Sequence, residues 1–246
     1  MESRIAEEIK LRFEPVAVIF TNEKPDGALQ FKEGGRGCAI AMFTAAARGK
    51  TVAIDRDTVG CLGGIVGLGL GCAYDKVPGG IDYFLSTGRG AGYPEGEGYK
   101  KTPELAKDLV DHFPITDIPY KYVVFKPLGD VDPGRETPMA VGFYVTPDQL
   151  SALVVLANYG AAGNENVIAP FAAGCSQVCL IPYRESLSEH PRAVIGVTDI
   201  SARPFVDPDV LAFTVPFAMF QRMEEDVPGS FLEKDAWKKV RERISN

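Results

Sequence analysis

Five cysteines, Cys38, Cys61, Cys72, Cys175 and Cys179, stand against only two histidines, His112 and His190, in a chain of 246 residues. Four of the five follow glycine: Gly37-Cys38, Gly60-Cys61, Gly71-Cys72 and Gly174-Cys175. A glycine before a thiol lets the backbone bend and turn amide N–H groups toward an anion, the environment that stabilises thiolates and cluster sulfides. The chemistry this points to is a thiolate site for a soft metal ion or an iron–sulfur cluster. Cys38, Cys61 and Cys175 are the candidate metal ligands, and Arg36, Gly60, Gly63, Gly64, Arg89 and Gly174 are the candidate cofactor-binding residues around them. Cys38 and Cys175 fall near helix starts, where exposed N–H groups favour a thiolate or a small anionic cofactor. The spacing names no known site, because successive cysteines are 23, 11, 103 and 4 positions apart and no C-x-x-C occurs. Two other readings of the thiols therefore stand beside the first. One is a single nucleophilic cysteine, Cys38 or Cys61; the other is apolar packing, expected above all of Cys72 and Cys179.

Other motifs carry less. Segment 60–72 has Gly67-x-Gly69-x-Gly71 but neither a Lys-Ser/Thr pair nor G-x-G-x-x-G, so it is not a phosphate loop. Its glycines disfavour a helix and imply close approach of backbone to a neighbour. Residues 86–101 are polar and Gly-rich and read as a long mobile loop. Within it Gly88-Arg89-Gly90-Ala91-Gly92 could fold over an anionic ligand, with 86–98 acting as a lid. Asp55 and Asp57 leave a strand and read as turn formers rather than general bases.

The elements that must position these residues follow from periodicity and capping. A short amphipathic helix occupies 3–13, and VAVIF (16–20) is a buried strand. The Ala-rich stretch 38–48 is a buried helix closed by Gly49, and TVAID (51–55) is a strand. Thr102-Pro103 and Thr146-Pro147 pair an N-cap with a proline at the first helical position, opening helices after 102 and 146. Strands are expected at 120–128, 139–145, 192–200 and 210–217, and a C-terminal amphipathic helix at 232–244. Strand pairs joined by turns favour α+β with a mixed sheet and buried Ala/Leu-rich helices. The order strand, helix, Gly-Cys occurs in both halves, which suggests a repeat that would bring Cys61 and Cys175 face to face. Segment 210–220 is apolar enough to form a homo-oligomer interface.

A formal charge of −7 and an isoelectric point near 5.0 argue against nucleic-acid binding. No run of about 18 apolar residues spans a membrane. The N-terminus lacks a signal peptide, which places the chain in the cytoplasm, where an odd set of thiols stays reduced.

Several strings carry a likeness. They are Arg36-x-Cys38, R-G-K-T-V (48–52), C-x-G-G (61–64) running into G-L-G-L (67–70), F-L-S-T-G (84–88), Y-K-K-T-P-E-L (99–105), V-F-K-P-L (124–128), and P-D-Q-L (147–150) before A-G-C (173–175). In order and spacing this resembles domain-of-unknown-function family 169, cytoplasmic proteins of archaea and anaerobic bacteria with no established activity. The resemblance covers residues 5 to about 220 and implies one domain over 1–246. It also implies that Cys38, Cys61 and Cys175 are the family's cysteine positions, with a cluster or redox cofactor favoured. The chain departs at Leu62, where relatives have proline, and at Gly196-Val197, where a later G-C element has lost its cysteine. A four-cysteine cluster then has to recruit Cys72, Cys179 or another ligand. The sequence thus points to a Gly-Cys-lined pocket that binds a metal, an iron–sulfur cluster or a small anionic cofactor. A cysteine-nucleophile enzyme and a non-catalytic oligomeric binding protein are the alternatives.

Overall fold

The computed structural model describes residues 1–89 and 95–244. A seven-stranded sheet runs through the molecule: β1 (Val16–Thr21), β2 (Val52–Ile54), β3 (Tyr122–Pro127), β4 (Ala140–Val145), β5 (Val167–Ile168), β6 (Ala193–Gly196) and β7 (Leu211–Pro216), in the spatial order β2-β3-β1-β4-β7-β6-β5. All neighbours are antiparallel except β5 and β6, so the sheet is mixed and the α+β expectation holds.

Alternation along the strands sends side chains to two opposite layers. Ala17, Ile19, Val141, Phe143 and Phe213 face one layer, built on α1 (Arg4–Glu8), α6 (Pro147–Tyr159), α8 (Phe217–Glu225) and α9 (Asp235–Arg243). Val16, Val18, Phe125 and Tyr144 face the other, built on α2 (Ala39–Ala47), α3 (Leu62–Gly67) and a π-helical turn, Ser176–Leu180. In this second layer Phe43 meets Phe125 and Tyr144 edge-on, with centroids 5.3 Å away in both cases. Each such fully buried ring stabilises the fold by about 1.5–3 kcal/mol. Phe43 also occupies the space over Gly142, where a Cβ would lie 2.6 Å from its ring.

The caps read from the sequence are in place. Thr102 Oγ1 accepts from the Leu105 N–H ahead of α5 (Pro103–His112), and Thr146 with Gln149 forms a capping box at α6. Gly49 ends the α2 segment at φ +88°. Asp55 is the turn former expected of it, accepting from the Asp57 and Thr58 N–H groups and the Thr58 hydroxyl.

Three features differ from the sequence-based expectation. The apolarity of segment 210–220 is accounted for within the chain: β7 lies between β4 and β6, and Phe213, Val215, Met219 and Phe220 are buried in the chain's own core. A strand with partners on both edges is apolar because it is interior, not because a second subunit covers it. The two halves do not show a repeat either, since α2 and α6, its matching helices, pack on opposite faces of the sheet. Finally, Cys72 is exposed rather than packed, because Gly71 turns the chain outward at φ +98°. Cys179 is buried as expected. Among the described residues no helix is long and apolar enough to cross a membrane.

Candidate functional site

Cys38, Cys61 and Cys175 converge on one cavity of about 770 Å³. Cys38 is the N-cap residue of α2 and Cys61 that of α3, while Cys175 immediately precedes the π-helical turn. The glycines that precede them are there for close packing. Gly37 N–H donates to Gly60 O at 3.1 Å, and a Cβ on Gly60 would lie 2.5 Å from the Gly37 nitrogen. A Cβ on Gly174 would lie 3.0 Å from Ile40 and 3.1 Å from Ala202. One on Gly67 would strike the Cys175 sulfur. The backbone approach that the glycine-rich segment predicts is therefore an approach to other chain segments, and it draws three distant thiols together.

Local bonding differs among the thiols. The Cys61 sulfur accepts from the Gly64 N–H at 3.2 Å, whereas the Cys175 thiol donates to Gly63 O at 3.5 Å. Cys179 donates to Leu68 O at 3.7 Å, so Cys175 and Cys179, four residues apart, both face the α3 segment. Burial pushes the Cys38 and Cys61 thiols above their ordinary range, with nearby amide N–H groups only partly opposing it. Cys175 is pushed well above, again chiefly by burial and then by the neighbouring Cys61 and Cys38. Cys61 is exposed, yet the surface it shows is cavity wall, which is why burial still governs its thiol. At neutral pH all three are thiols rather than thiolates.

Polar groups that the sequence reading did not single out complete the floor. Buried Asp199 accepts from the Tyr99 hydroxyl at 2.7 Å, the Gly174 N–H at 3.1 Å, and the Ser201 N–H and hydroxyl at 3.1 and 3.0 Å. Its position depends on an unusual backbone: Val197, just past β6, sits at φ +57°. For a β-branched residue this conformation costs on the order of 1–3 kcal/mol. Fully buried Gln177 holds it, its amide nitrogen donating to Thr198 Oγ1 at 2.8 Å and its oxygen accepting from the Thr198 N–H at 3.2 Å. Glu97 lines the same floor, its carboxyl raised to about 7 by burial and by the charge of Asp199. Burial likewise takes the Tyr99 hydroxyl to about 12.

The walls are apolar, with Ile40, Ile65, Val77, Leu85, Val110 and Phe113 among their residues. They come from α2, α3, α4 (Ile81–Phe84) and α5, and from the segments between them. Residues 95–100 fold back on 83–88: Glu97 N–H donates to Phe84 O at 2.8 Å and Lys100 N–H to Leu85 O at 3.0 Å. The polar segment 86–101 is thus tied down at both described flanks, and this pairing delivers Glu97 and Tyr99 to the cavity. Gly90, Ala91 and Gly92 lie outside the described residues.

Of the sequence-derived site residues, Arg36, Cys38, Gly60, Cys61, Gly63, Gly174 and Cys175 line the cavity. Gly64 sits just behind it, donating to the Cys61 sulfur, and Arg89 is exposed away from the lining. Among the described residues no group of three or more His, Cys, Asp or Glu side chains is arranged to hold a metal ion. Asp199 and Glu97 gave little signal in sequence, since one follows a strand and the other lies in a polar loop.

A family model described as "Uncharacterised ArCR", that of domain-of-unknown-function family 169, matches residues 4–226. No curated protein and no solved structure matches the chain significantly.

Proposed function

The chain belongs to domain-of-unknown-function family 169, and on that premise we propose that it binds a small organic molecule or cofactor in the cavity floored by Cys38, Cys61, Cys175, Glu97 and Asp199. The cavity carries this reading. Its volume of about 770 Å³ falls in the roughly 300–1,000 Å³ typical of small-molecule sites, and it pairs apolar walls with a few convergent polar groups. The ligand's apolar body packs against the side chains of α2, α4 and α5, and its polar end meets the floor. There Glu97, raised to about 7, donates or accepts a proton near neutrality, and Tyr99 and the three thiols remain protonated donors.

An organic ligand is favoured over a metal ion because, among the described residues, no three His, Cys, Asp or Glu side chains are arranged as a ligand set, and the cavity walls are apolar. Burial disfavours a resting nucleophile at Cys61, where it outweighs the Gly64 N–H. Five free cysteines suit a reducing compartment such as the cytoplasm. Arg36 and Lys76, both exposed, stand at the cavity rim and supply the positive charge near its mouth.

Anaerobic purification followed by native mass spectrometry and metal analysis tests the proposal. The expected result is an organic adduct released on unfolding, with no stoichiometric iron or zinc. One metal ion or cluster per chain, lost on Cys61→Ala, overturns it.

A further inference from the structure

Two of the three cavity thiols, Cys38 and Cys61, are 23 positions apart in the chain yet follow glycines that touch. The residues just before them touch, through the Gly37 N–H to Gly60 O hydrogen bond of 3.1 Å and the close glycine–glycine crossing around it. Each thiol belongs to a helix N-cap residue, Cys38 to α2 and Cys61 to α3, and both line the cavity. Cys38 caps α2 through its backbone, its carbonyl accepting from the Ala41 N–H at 3.0 Å and its sulfur making no cap hydrogen bond, while the Cys61 sulfur accepts from the Gly64 N–H at 3.2 Å. The two thiols therefore enter one cavity from touching backbone, and the charge of Cys61 adds to burial in raising the Cys38 thiol. Cys175 stands apart from the pair in its bonding, its S–H committed to Gly63 O. Cys72 is exposed and Cys179 is held in the core against Leu68.

We propose that Cys38 and Cys61 form a dithiol that closes to an intramolecular disulfide when a two-electron thiol oxidant, such as an azo compound or another disulfide, enters the cavity. With an azo oxidant, one thiol adds across the N=N bond through sulfur, placing its proton on nitrogen. The second sulfur then displaces the first adduct. Two S–H bonds are lost, one S–S bond forms, and the N=N group leaves as the hydrazine carrying both hydrogens. The disulfide ties the start of α2 to the start of α3 across the cavity floor and replaces two hydrogen-bond donors there with none. In a reducing compartment the pair rests as thiols, and its closure reports an oxidant. Raised thiol pKa values make closure slow, not absent, at neutral pH, and faster in mild alkali.

The test uses the full chain with the exposed Cys72 changed, Cys72→Ser, because trypsin leaves Cys61 and Cys72 in one peptide, 57–76, and Cys38 in another, 37–48. The protein is treated with diamide at pH 8, its remaining thiols are alkylated under denaturing conditions, and it is mapped without reduction. The expected result is a single linked pair of peptides 37–48 and 57–76, two alkylated cysteines (175 and 179), and full reversal by dithiothreitol. Cys61→Ser, checked for a native circular dichroism spectrum, leaves Cys38 alkylatable. Four alkylatable thiols after treatment, or a link from either peptide to the one carrying Cys175, overturns the assignment. So does a link between two chains.

Discussion

At the scale of single residues, Glu97 is a carboxyl whose charge changes near neutrality. Its carboxyl moves from an ordinary 4.5 to about 7 in the folded chain, first through burial and then through Asp199. Between these values the folded protein keeps a proton that the unfolded chain has lost. This group's contribution to stability is therefore full below about 4.5, declines as pH rises toward 7, and is absent above. Facing it across the cavity are Asp199, Tyr99, Tyr74 and the thiols of Cys38, Cys61 and Cys175, with Arg36 and Lys76 at the rim. Glu97→Gln should match the wild type in melting temperature near pH 4.5 and exceed it by a few degrees at pH 8.5; equal melting at both pH values would contradict this. Thiol chemistry follows the same environment. At pH 7 iodoacetamide should label exposed Cys72 first, Cys61 and Cys38 slowly, and Cys175 and Cys179 only on unfolding, as read by peptide mass spectrometry. Rapid labelling of Cys175 in the native protein would contradict this order.

At the scale of elements, α3 and the π-helical turn are held together by missing side chains. Gly67→Ala would put a methyl group onto the Cys175 sulfur and 2.9 Å from the Ser176 nitrogen, so it should cost about 1–3 kcal/mol and lower the melting temperature. Gly63, one turn earlier, has open space where its Cβ would lie. Gly63→Ala should therefore be neutral or stabilise by up to about 1 kcal/mol. Thermal denaturation of the two variants side by side checks the packing account, which requires opposite outcomes from the same substitution four residues apart. These elements also mark how far the sequence is legible. The glycine density of 60–72 announces close approach, and Thr102 and Thr146 announce their helices, because both signals are local. The π-helical turn and the left-handed Val197 carry no local signal: they persist because Gln177, held between Pro170 and Thr198, fixes both neighbours. Asp199, delivered by that bend, was accordingly invisible as a site residue. Cys72 illustrates the reverse case, a thiol in apolar sequence that a single positive-φ glycine turns out to solvent.

At the scale of the whole molecule, the sheet divides the chain into two unlike layers. One, with α1, α6, α8 and α9, is continuous core. The other, with α2, α3 and the π-helical turn, is core near the sheet and opens into the cavity farther out, beneath α4 and α5. Alternating strand patterns predict such a sheet, but they do not say which layer is left unfilled. That depends on the many glycines near the thiols, which bring segments close without supplying side chains to occupy the space between them. It also depends on residues 95–100, whose pairing with 83–88 delivers Glu97 and Tyr99 to the cavity. That Cys38, Cys61 and Cys175 share one cavity was legible from their glycines and their family positions. Their protonated state was not, since it follows from burial that only the assembled layer creates.

The central claim is that this cavity takes a small organic ligand, and filling it from inside tests that most directly. Gly63→Trp projects an indole from α3 into the open space that Gly63 leaves, at a backbone conformation requiring no glycine. Titration with a neutral solvatochromic dye should show saturable one-to-one binding to the wild type and none to Gly63→Trp at an unchanged melting temperature. Equal binding by both proteins, or no saturable binding by the wild type, would contradict the account.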